Sequence, residues 1–509
     1  MSRSKKSIKN LYTAIIGQAA GLLISFFARI VFLKILNSEF LGLNGLFTNI
    51  LSILSLAELG VGEAITFSLY KPLAKNDIEK CKMLMQFYRR IYILIGAIIL
   101  IVGCSITPLL PIFINNMPNI NSINLIYILF VINTAVSYFF SYKRNLIIAD
   151  QNRYIATIYR YIFYFIMNLL QILYLLLAKD YIGFLVIQII CTLLENILVS
   201  QKANKMYPYL LDKNKLKLEP NLKREITKNT RAMMMHKIGN VAVNATDNIL
   251  LSRLIGLESV GLYSNYYLII SALNTIYNQF YNSLTASVGN LCALEKENKQ
   301  YNIYKKVDFI GYWIYSFSAI CLICLLNPFI ELWLGSEYLF DTSTVLIIAI
   351  NFYIAGARKS NLTFREATGL FYKDRWRPLL EAIINLSASI VLGIKFGVFG
   401  VFVGTFISAA TTYVWIEPYL LYKYAFKKNV WQYFRTYILR IAMTVGSGFI
   451  CFCLCSLIDG NSYITLLFKA LICLAIPNSL MILSHHNNDE MIFITKILSS
   501  NIKKILQKK

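Results

Sequence analysis

Long apolar runs, separated by short polar stretches, recur along almost the whole chain. Most are about 20 residues or longer, which is the length that a helix needs to cross a bilayer, whereas membrane β-barrels use segments of about 10 alternating residues. Only 15% of the 509 residues are charged, and 57% are hydrophobic. The sequence therefore predicts an all-α, polytopic membrane protein.

We predict about 14 transmembrane helices from these runs. They lie near residues 11–36, 41–70, 91–114, 122–142, 154–178, 181–201, 232–256, 261–293, 307–334, 342–364, 378–396, 399–422, 434–458 and 463–483. The predicted organisation comprises an N-terminal lobe (1–201, spans 1–6), a basic cytoplasmic linker (202–231), a C-terminal lobe (232–422, spans 7–12), two additional helices (434–483) and a cytoplasmic tail (484–509).

Positive charge is distributed very unevenly between the predicted loops. The formal net charge is +24, and 42 of the 50 lysine and arginine residues fall on the side of the N-terminus, whereas Lys179 and Lys395 occupy the opposite loops. By the positive-inside rule, both termini are expected in the cytoplasm. The basic excess is thus interpreted as a topology signal, and no nucleic-acid partner is expected.

The chain contains an internal repeat at an offset of 219 residues. The junction after span 1 reads "LKILNSEFLGLNGL" (33–46), and the junction after span 7 reads "LSRLIGLESVGLYS" (251–264). The offset aligns Lys34 with Arg253, Glu39 with Glu258, Gly42 with Gly261 and Leu43 with Leu262. Six spans separate the two copies, so the repeat predicts two parallel, pseudo-symmetric six-helix lobes followed by two C-terminal helices. A binding site is expected between the lobes near the midplane.

Polar side chains follow helical spacing in the first two spans of each predicted lobe. The candidate cavity residues are Arg29, Gln18, Ser25, Lys237, Asn240, Asn244 and Asn278. An ionised side chain is costly at bilayer depth, so it usually faces a cavity or a partner. Arg29 is the best candidate for binding an anion, and an ion pair with Glu58 is the alternative. For the uncharged residues, the alternative is hydrogen bonding between helices.

Three carboxylates are candidates for ion coupling or ion pairing: Glu58, Glu63 and Asp247. The first two belong to "AELGVGEA" (57–64), an octapeptide with two glycines inside an otherwise apolar stretch. Five residues apart, Glu58 and Glu63 are separated by about 140° on an ideal helix and cannot share one narrow face. Glu58 continues the polar stripe and is favoured to face the substrate path. The glycines predict a kink or a close approach between helices.

The sequence contains no motif typical of a soluble catalytic domain. No phosphate-binding Gly-x-x-x-x-Gly-Lys-Ser/Thr loop occurs, and the loops are too short for a catalytic domain. "CLIC" (321–324) and "CFCLC" (451–455) lie in apolar spans and are interpreted as small buried hydrophobic residues. We therefore expect no catalytic residues, no metal site and no cofactor. The chain is predicted not to be an enzyme, which leaves transport by the membrane bundle.

Several sequence segments resemble the bacterial polysaccharide flippases, the translocases of O-antigen and capsule repeat units. They are "EFLGLNGLF" (39–47), "AELGVGEAI" (57–65), "LYKPLA" (69–74), "HKIGNVAVNATDNILLS" (236–252), "VGLYSNY" (260–266) and "SVGNL" (287–291). This family belongs to the multidrug/oligosaccharidyl-lipid/polysaccharide exporter superfamily. Related flippases have a cationic central cavity with an arginine on the first helix, which Arg29 matches in kind. Glu58 and Glu63 depart from a purely cationic cavity.

The resemblance implies a transporter in the bacterial cytoplasmic membrane that flips undecaprenyl-diphosphate-linked oligosaccharides to the outer leaflet by alternating access. Its implied partners are the lipid-linked oligosaccharide, membrane lipids, and the polysaccharide polymerase with its chain-length and assembly proteins. The alternatives are an ion-coupled multidrug antiporter of the same fold and a membrane-embedded glycosyltransferase or polymerase.

Overall fold

A computed structural model describes residues 3–506 apart from positions 59, 116, 117, 119, 121, 213–215, 217, 371 and 372. About 90% of the chain is helical, and the described residues contain no strand. The predicted all-α, polytopic fold is confirmed. Large apolar side chains remain exposed on the outward faces of the helices, Leu177 to 86% and Ile101 to 70%. Such surfaces are suited to lipid contact and make this a multi-pass membrane protein.

The helices divide into two compact units, Met1–Ser264 and Asn265–Lys509. The first unit contains α1 (Arg3–Leu54), α2 (Val61–Lys75), α3 (Ile78–Ile106), α4 (Leu110–Phe113), α5 (Ile123–Ala149), α6 (Arg153–Ala178), α7 (Tyr181–Met206) and α8 (Pro220–Leu254). Helix α9 (Leu257–Leu294) crosses the division. The second unit continues with α10 (Glu297–Trp333), α11 (Thr342–Ala367), α12 (Arg377–Thr411), α13 (Tyr413–Leu420), α14 (Trp431–Ser456), α15 (Tyr463–His485) and α16 (Asp489–Leu506). The predicted lobe boundaries stay a prediction.

Among the described residues, nine helical stretches are long and apolar enough to cross a membrane. Two of them, Tyr12–Glu58 and Arg377–Phe426, are 47 and 50 residues long. Their backbones break at Asn37 (φ 73°) and Gly397 (φ 60°), so each contains two of the predicted spans. Helices α8, α9 and α11 coincide with three further predicted spans and are too polar to be counted among the nine. The nine stretches therefore contain eleven predicted spans, and α8, α9 and α11 bring the number to the predicted fourteen.

A charge cluster missing from the sequence prediction lies inside the second unit. Glu417 of α13 is fully buried and contacts Arg358 at 2.8 Å, Arg365 at 3.0 Å and Arg377 at 3.3 Å. Asp374 contacts both Arg365 and Arg377, and Glu381 contacts Arg358 and Arg377. Three arginines thus meet three carboxylates, which compensates the charges that burial would otherwise make costly. We call these six residues the arginine–carboxylate cluster; it joins α11, α12 and α13.

Candidate functional site in the first unit

The octapeptide "AELGVGEA" forms a break between two helices. Helix α1 ends at Leu54, a 3₁₀ turn covers Ser55–Glu58, and α2 begins at Val61. Gly60 precedes α2 with φ 77° and ψ 10°, in the left-handed region where glycine has no steric penalty. The predicted kink is therefore present. This kink places the Glu58 carboxylate at the end of the regular helix, since Glu58 is the last residue of the 3₁₀ turn.

Glu58 forms an ion pair with Lys237 of α8. The Lys237 Nζ lies 2.8 Å from Glu58 Oε2, and the Tyr92 hydroxyl of α3 donates to Glu58 Oε1. A Cβ on Gly62 would lie 2.1 Å from the Tyr92 hydroxyl and 2.3 Å from Glu58 Oε1. Any larger residue at position 62 would therefore displace these groups. The two glycines of the octapeptide have separate roles, one in turning the chain and one in admitting the carboxylate.

A second layer of polar contacts surrounds this ion pair. The buried Tyr88 hydroxyl donates to the Gly62 carbonyl at 3.1 Å and contacts the Tyr92 hydroxyl at 3.4 Å. The Asn145 side chain of α5 donates to Tyr88 in turn. The sequence prediction did not include Tyr88, Tyr92 or Asn145. Their only signal is the four-residue spacing of the two tyrosines, which is uninformative in a chain with 34 tyrosines.

Arg29 of α1 contacts the start of α9. Its Nη1 donates to the Ser264 hydroxyl at 2.8 Å, and that hydroxyl donates to the Gly261 carbonyl at 3.0 Å. From the sequence, Arg29 is the candidate ion-pair partner of Glu58, whereas the structure pairs Glu58 with Lys237, a partner that the sequence did not indicate. Arg29 lies eight residues before the break at Asn37, or about 12 Å along the helix axis. Lys237 lies seventeen residues before the end of α8, or about 26 Å.

The other predicted polar residues of α1 contact tyrosines of α6. The Tyr161 hydroxyl donates to Gln18 at 2.8 Å, and the Ser25 and Tyr164 hydroxyls lie 2.6 Å apart. These contacts hold two helices together and place phenolic groups beside the predicted polar stripe. Assignment of Gln18 and Ser25 to a substrate cavity stays a prediction.

The remaining predicted site residues are placed as follows. Asp247 is half-buried in α8, and Asn278 is half-buried in the part of α9 that belongs to the second unit. The side chains of Glu63, Asn240 and Asn244 lie outside the described part of the structure.

The two repeat-related junctions contact one another reciprocally within the first unit. A Cβ on Gly42 would lie 2.0 Å from the Leu257 carbonyl oxygen, and a Cβ on Gly261 would lie 2.2 Å from the Ser38 carbonyl oxygen. Gly42 and Gly261 are related by the 219-residue offset, as are Ser38 and Leu257. The contact therefore has local two-fold pseudo-symmetry. It brings the backbones of the two junctions together at a distance that only glycine permits.

A basic groove lies along α3 and α5 of the same unit. It has a volume of about 990 Å³, and its lining includes Lys82, Arg89, Arg90 and Lys143. Lys82 is paired with Asp212, and the Lys143 ammonium donates to Ser200 at 2.8 Å. Aromatic and aliphatic side chains form most of the rest of the lining, together with Gln86 and Asp212. A groove of this kind suits the phosphate of a lipid headgroup.

Comparison with known proteins places the fold. No family model matches the chain, and no curated protein matches it. The lipid II flippase MurJ in an inward closed conformation is similar with a TM-score of 0.64 and 15% identity, over 94% of this chain and 99% of that one. An inward-facing multidrug resistance MATE transporter of the MOP superfamily gives 0.61 and 13%, over 79% and 94%. A MOP superfamily transporter from Pyrococcus furiosus gives 0.51 and 13%, over 84% and 98%. The chain therefore has the fold of MurJ and the MATE transporters.

Proposed function

We propose that this protein is a flippase for undecaprenyl-diphosphate-linked oligosaccharide repeat units in the bacterial cytoplasmic membrane. It moves them from the inner to the outer leaflet by alternating access and serves the synthesis of a surface polysaccharide such as a capsule or O-antigen. Three things support the proposal: the fold shared with a lipid II flippase, the resemblance of segments 39–74 and 236–266, and two basic residues at membrane depth.

The ion pair between Lys237 and Glu58 is the observation that carries this proposal. The Glu58 carboxylate accepts from the Lys237 ammonium as a phosphate oxygen of a substrate would. A diphosphate bears more negative charge than one carboxylate and competes with it for the same ammonium. With the predicted orientation, Lys237 lies nearer the cytoplasmic side than Arg29. The diphosphate meets Lys237 on entry and Arg29 later, where a planar guanidinium offers two parallel hydrogen bonds.

In this transport cycle, the reciprocal glycine contact closes the outer end of the path. In the predicted orientation, the junctions at 33–46 and 251–264 face the outside. Their contact through Gly42 and Gly261 closes that end, and release of the sugar requires the two junctions to separate. Binding energy from the diphosphate must favour the separated state if the substrate is to drive the change. The polyprenyl tail stays in the lipid throughout.

The test is reconstitution of the full chain in liposomes with a fluorescent diphosphate-linked oligosaccharide. Leaflet accessibility is followed with a membrane-impermeant quencher. Wild-type protein is expected to move the lipid faster than empty vesicles, Arg29→Ala is expected to abolish the movement, and Arg29→Lys is expected to retain part of it. Arg435→Ala is the matched control, because Arg435 is an exposed arginine of α14.

Gel filtration and thermal unfolding of each variant show whether the protein is folded. Movement no faster than in empty vesicles overturns the proposal. Full activity of folded Arg29→Ala removes Arg29 from the site. Uptake of a cationic dye against an ion gradient, without movement of the lipid, establishes the antiporter alternative instead.

A further inference from the structure

Five of the ten cysteines come together in the second unit, where α10, α14 and α15 meet. Cys321 and Cys324 lie three residues apart in α10, Cys451 and Cys455 lie four apart in α14, and Cys473 lies in α15. These spacings place each pair on one helix face. We call the five residues the thiol cluster. Four of its members are buried, with exposed fractions between 0 and 6%.

Two of the sulfur atoms are separated by a distance typical of donors that share one metal ion, and a third lies close to both. The Sγ atoms of Cys324, Cys455 and Cys473 all lie within 4.8 Å of one another, and those of Cys455 and Cys473 are 3.9 Å apart. Sulfur donors about 2.3 Å from a common ion are roughly 3.8–4.0 Å apart in tetrahedral or trigonal geometry. A disulfide needs about 2.05 Å, and all five cysteines are free.

Cys473 is the centre of the cluster. Its sulfur lies 3.9 Å from that of Cys455 and within 4.8 Å of that of Cys324, and Cys321 and Cys451 pack in the same cluster. Three helices therefore direct their thiols to one point. Cysteines placed only as small packing residues have no need to converge, and the exposed Cys104 and Cys453 of the same chain do not belong to the cluster.

The surroundings select the kind of ion. The cluster packs against the aliphatic side chains of Ile320, Leu325, Ile472 and Ile476. Thiol and thiolate donors favour soft ions such as Cu(I) and Zn²⁺ over hard ions such as Mg²⁺. Net charge is costly in an apolar membrane helix bundle. A monovalent ion is neutralised by one thiolate, whereas a divalent ion needs two.

We propose that the thiol cluster binds one thiophilic monovalent cation, Cu(I), through Cys324, Cys455 and Cys473. The copper binds as Cu(I), and its oxidation state does not change. One of the three thiols gives its proton to solvent and binds as the thiolate, and the other two bind through sulfur lone pairs. The bound site is then neutral. This proposal is independent of the transported substrate.

The test is anaerobic titration of the purified full chain with Cu(I) buffered by a chromogenic chelator. We expect one Cu(I) per chain, release of one proton per ion, and an X-ray absorption spectrum with sulfur as the only neighbour. The triple variant Cys324→Ser/Cys455→Ser/Cys473→Ser is expected to lose the high-affinity binding. The control Cys104→Ser/Cys453→Ser changes two exposed thiols and is expected to bind as the wild type does.

If the triple variant fails to fold, the single variant Cys455→Ser replaces it, with an expected loss of at least about tenfold in affinity at an unchanged gel-filtration profile. Equal binding by wild type and by folded cluster variants overturns the proposal. So does stoichiometric binding of Zn²⁺ in place of Cu(I). A disulfide between cluster cysteines in protein isolated without oxidant also overturns it.

Discussion

The ion pair of Glu58 and Lys237 is only partly shielded, with side-chain exposures of 15% and 24%. Its carboxylate also accepts from Tyr92, and Gly62 leaves the space that this arrangement needs. A charged residue left without its partner in such a setting pays a desolvation cost that a paired residue avoids. The pair is therefore a stabilising contact. Its ammonium group is also available to a competing anion that displaces the Glu58 carboxylate.

Substitution of Lys237 should separate these two roles. Lys237→Gln is expected to lower the free energy of unfolding by about 1–3 kcal/mol and to reduce flipping roughly tenfold, equivalent to about 1.4 kcal/mol. The double variant Glu58→Gln/Lys237→Gln should regain stability, since two amides can bond to each other, but not flipping. Thermal unfolding in detergent and the liposome assay measure the two quantities. Equal flipping by wild type and double variant would show that the ammonium has no part in transport.

At this scale the sequence indicates which residues are unusual better than it indicates their partners. Arg29, Glu58 and Lys237 stand out because charges are costly in apolar spans. The pairing of Glu58 with Lys237 joins residues 179 positions apart, and no local spacing encodes it. Tyr92 and Asn145 enter through the packing of α3 and α5 against the helix break. Only the three-dimensional structure brings them to the carboxylate.

At the scale of the helices, Gly42 and Gly261 allow two junctions to approach through their backbones. Gly42→Ala is expected to destabilise the protein by about 1–3 kcal/mol, because the added methyl group meets a backbone carbonyl that cannot rotate away. Gly261→Ala should have the same effect. Gly446→Ala in α14 is the matched control, since no heavy atom of the described residues lies within 4 Å of the Cβ there.

The control should be neutral or stabilised by up to about 1 kcal/mol, which is the helix-propensity gain of alanine over glycine. Thermal unfolding of the three variants measures the difference. Equal melting temperatures for Gly42→Ala and Gly446→Ala would mean that the backbone of Leu257 does not lie as close to Gly42 as in the structure.

The arginine–carboxylate cluster fixes the ends of α11, α12 and α13. Glu417→Gln leaves three arginines with reduced compensation and is expected to cost about 3–5 kcal/mol, enough to lower the yield of folded protein severely. The exposed pair Lys427–Glu297 provides the comparison, with side-chain exposures of 72% and 44%. Lys427→Gln should change stability by less than about 0.5 kcal/mol. A similar yield and melting temperature for both variants would contradict this account of the cluster.

Helix positions could be predicted because apolar length is a strong signal, whereas helix breaks could be predicted only in part. The glycines of "AELGVGEA" indicated a kink, and one is present at Gly60. The break at Asn37 falls in the junction predicted between spans 1 and 2, but its mechanism was not predicted: asparagine adopts φ 73° there, and its side-chain oxygen accepts from the amide of Glu39 at 3.0 Å. Local side-chain hydrogen bonding of this kind competes with the helix and is difficult to infer from sequence alone.

At the scale of the whole molecule, the distribution of lysine and arginine predicts the orientation in the membrane. In intact cells, Asn461→Cys is expected to react with an impermeant maleimide, because residue 461 lies in the predicted outer loop before α15. Lys428→Cys, in the predicted inner loop before α14, should react only after the membrane is permeabilised. The parent chain, with its native cysteines, is the background control. Labelling of Lys428→Cys alone in intact cells would reverse the orientation.

The three polar helices α8, α9 and α11 explain why apolar length alone understates the number of spans. Their polar side chains are tolerated because the helices pack within the protein, where hydrogen bonds and ion pairs replace contact with lipid. The sequence prediction counted these spans from their apolar runs, and the internal repeat agrees with that count, since the junction after span 7 matches the junction after span 1. Fold class was therefore predictable from two independent patterns. The fit of side chains between helices was not, because it depends on contacts distant in sequence.

The reciprocal contact of the two junctions also carries information about origin. In an isologous interface, residue i of one subunit meets residue j of its partner, and j meets i. Gly42 with Leu257 and Ser38 with Gly261 satisfy this rule within a single chain when the repeat offset is applied. Such an arrangement is expected when the gene of a symmetric homodimer is duplicated and the two copies fuse. The ancestral half-length protein would then have paired with itself through this contact.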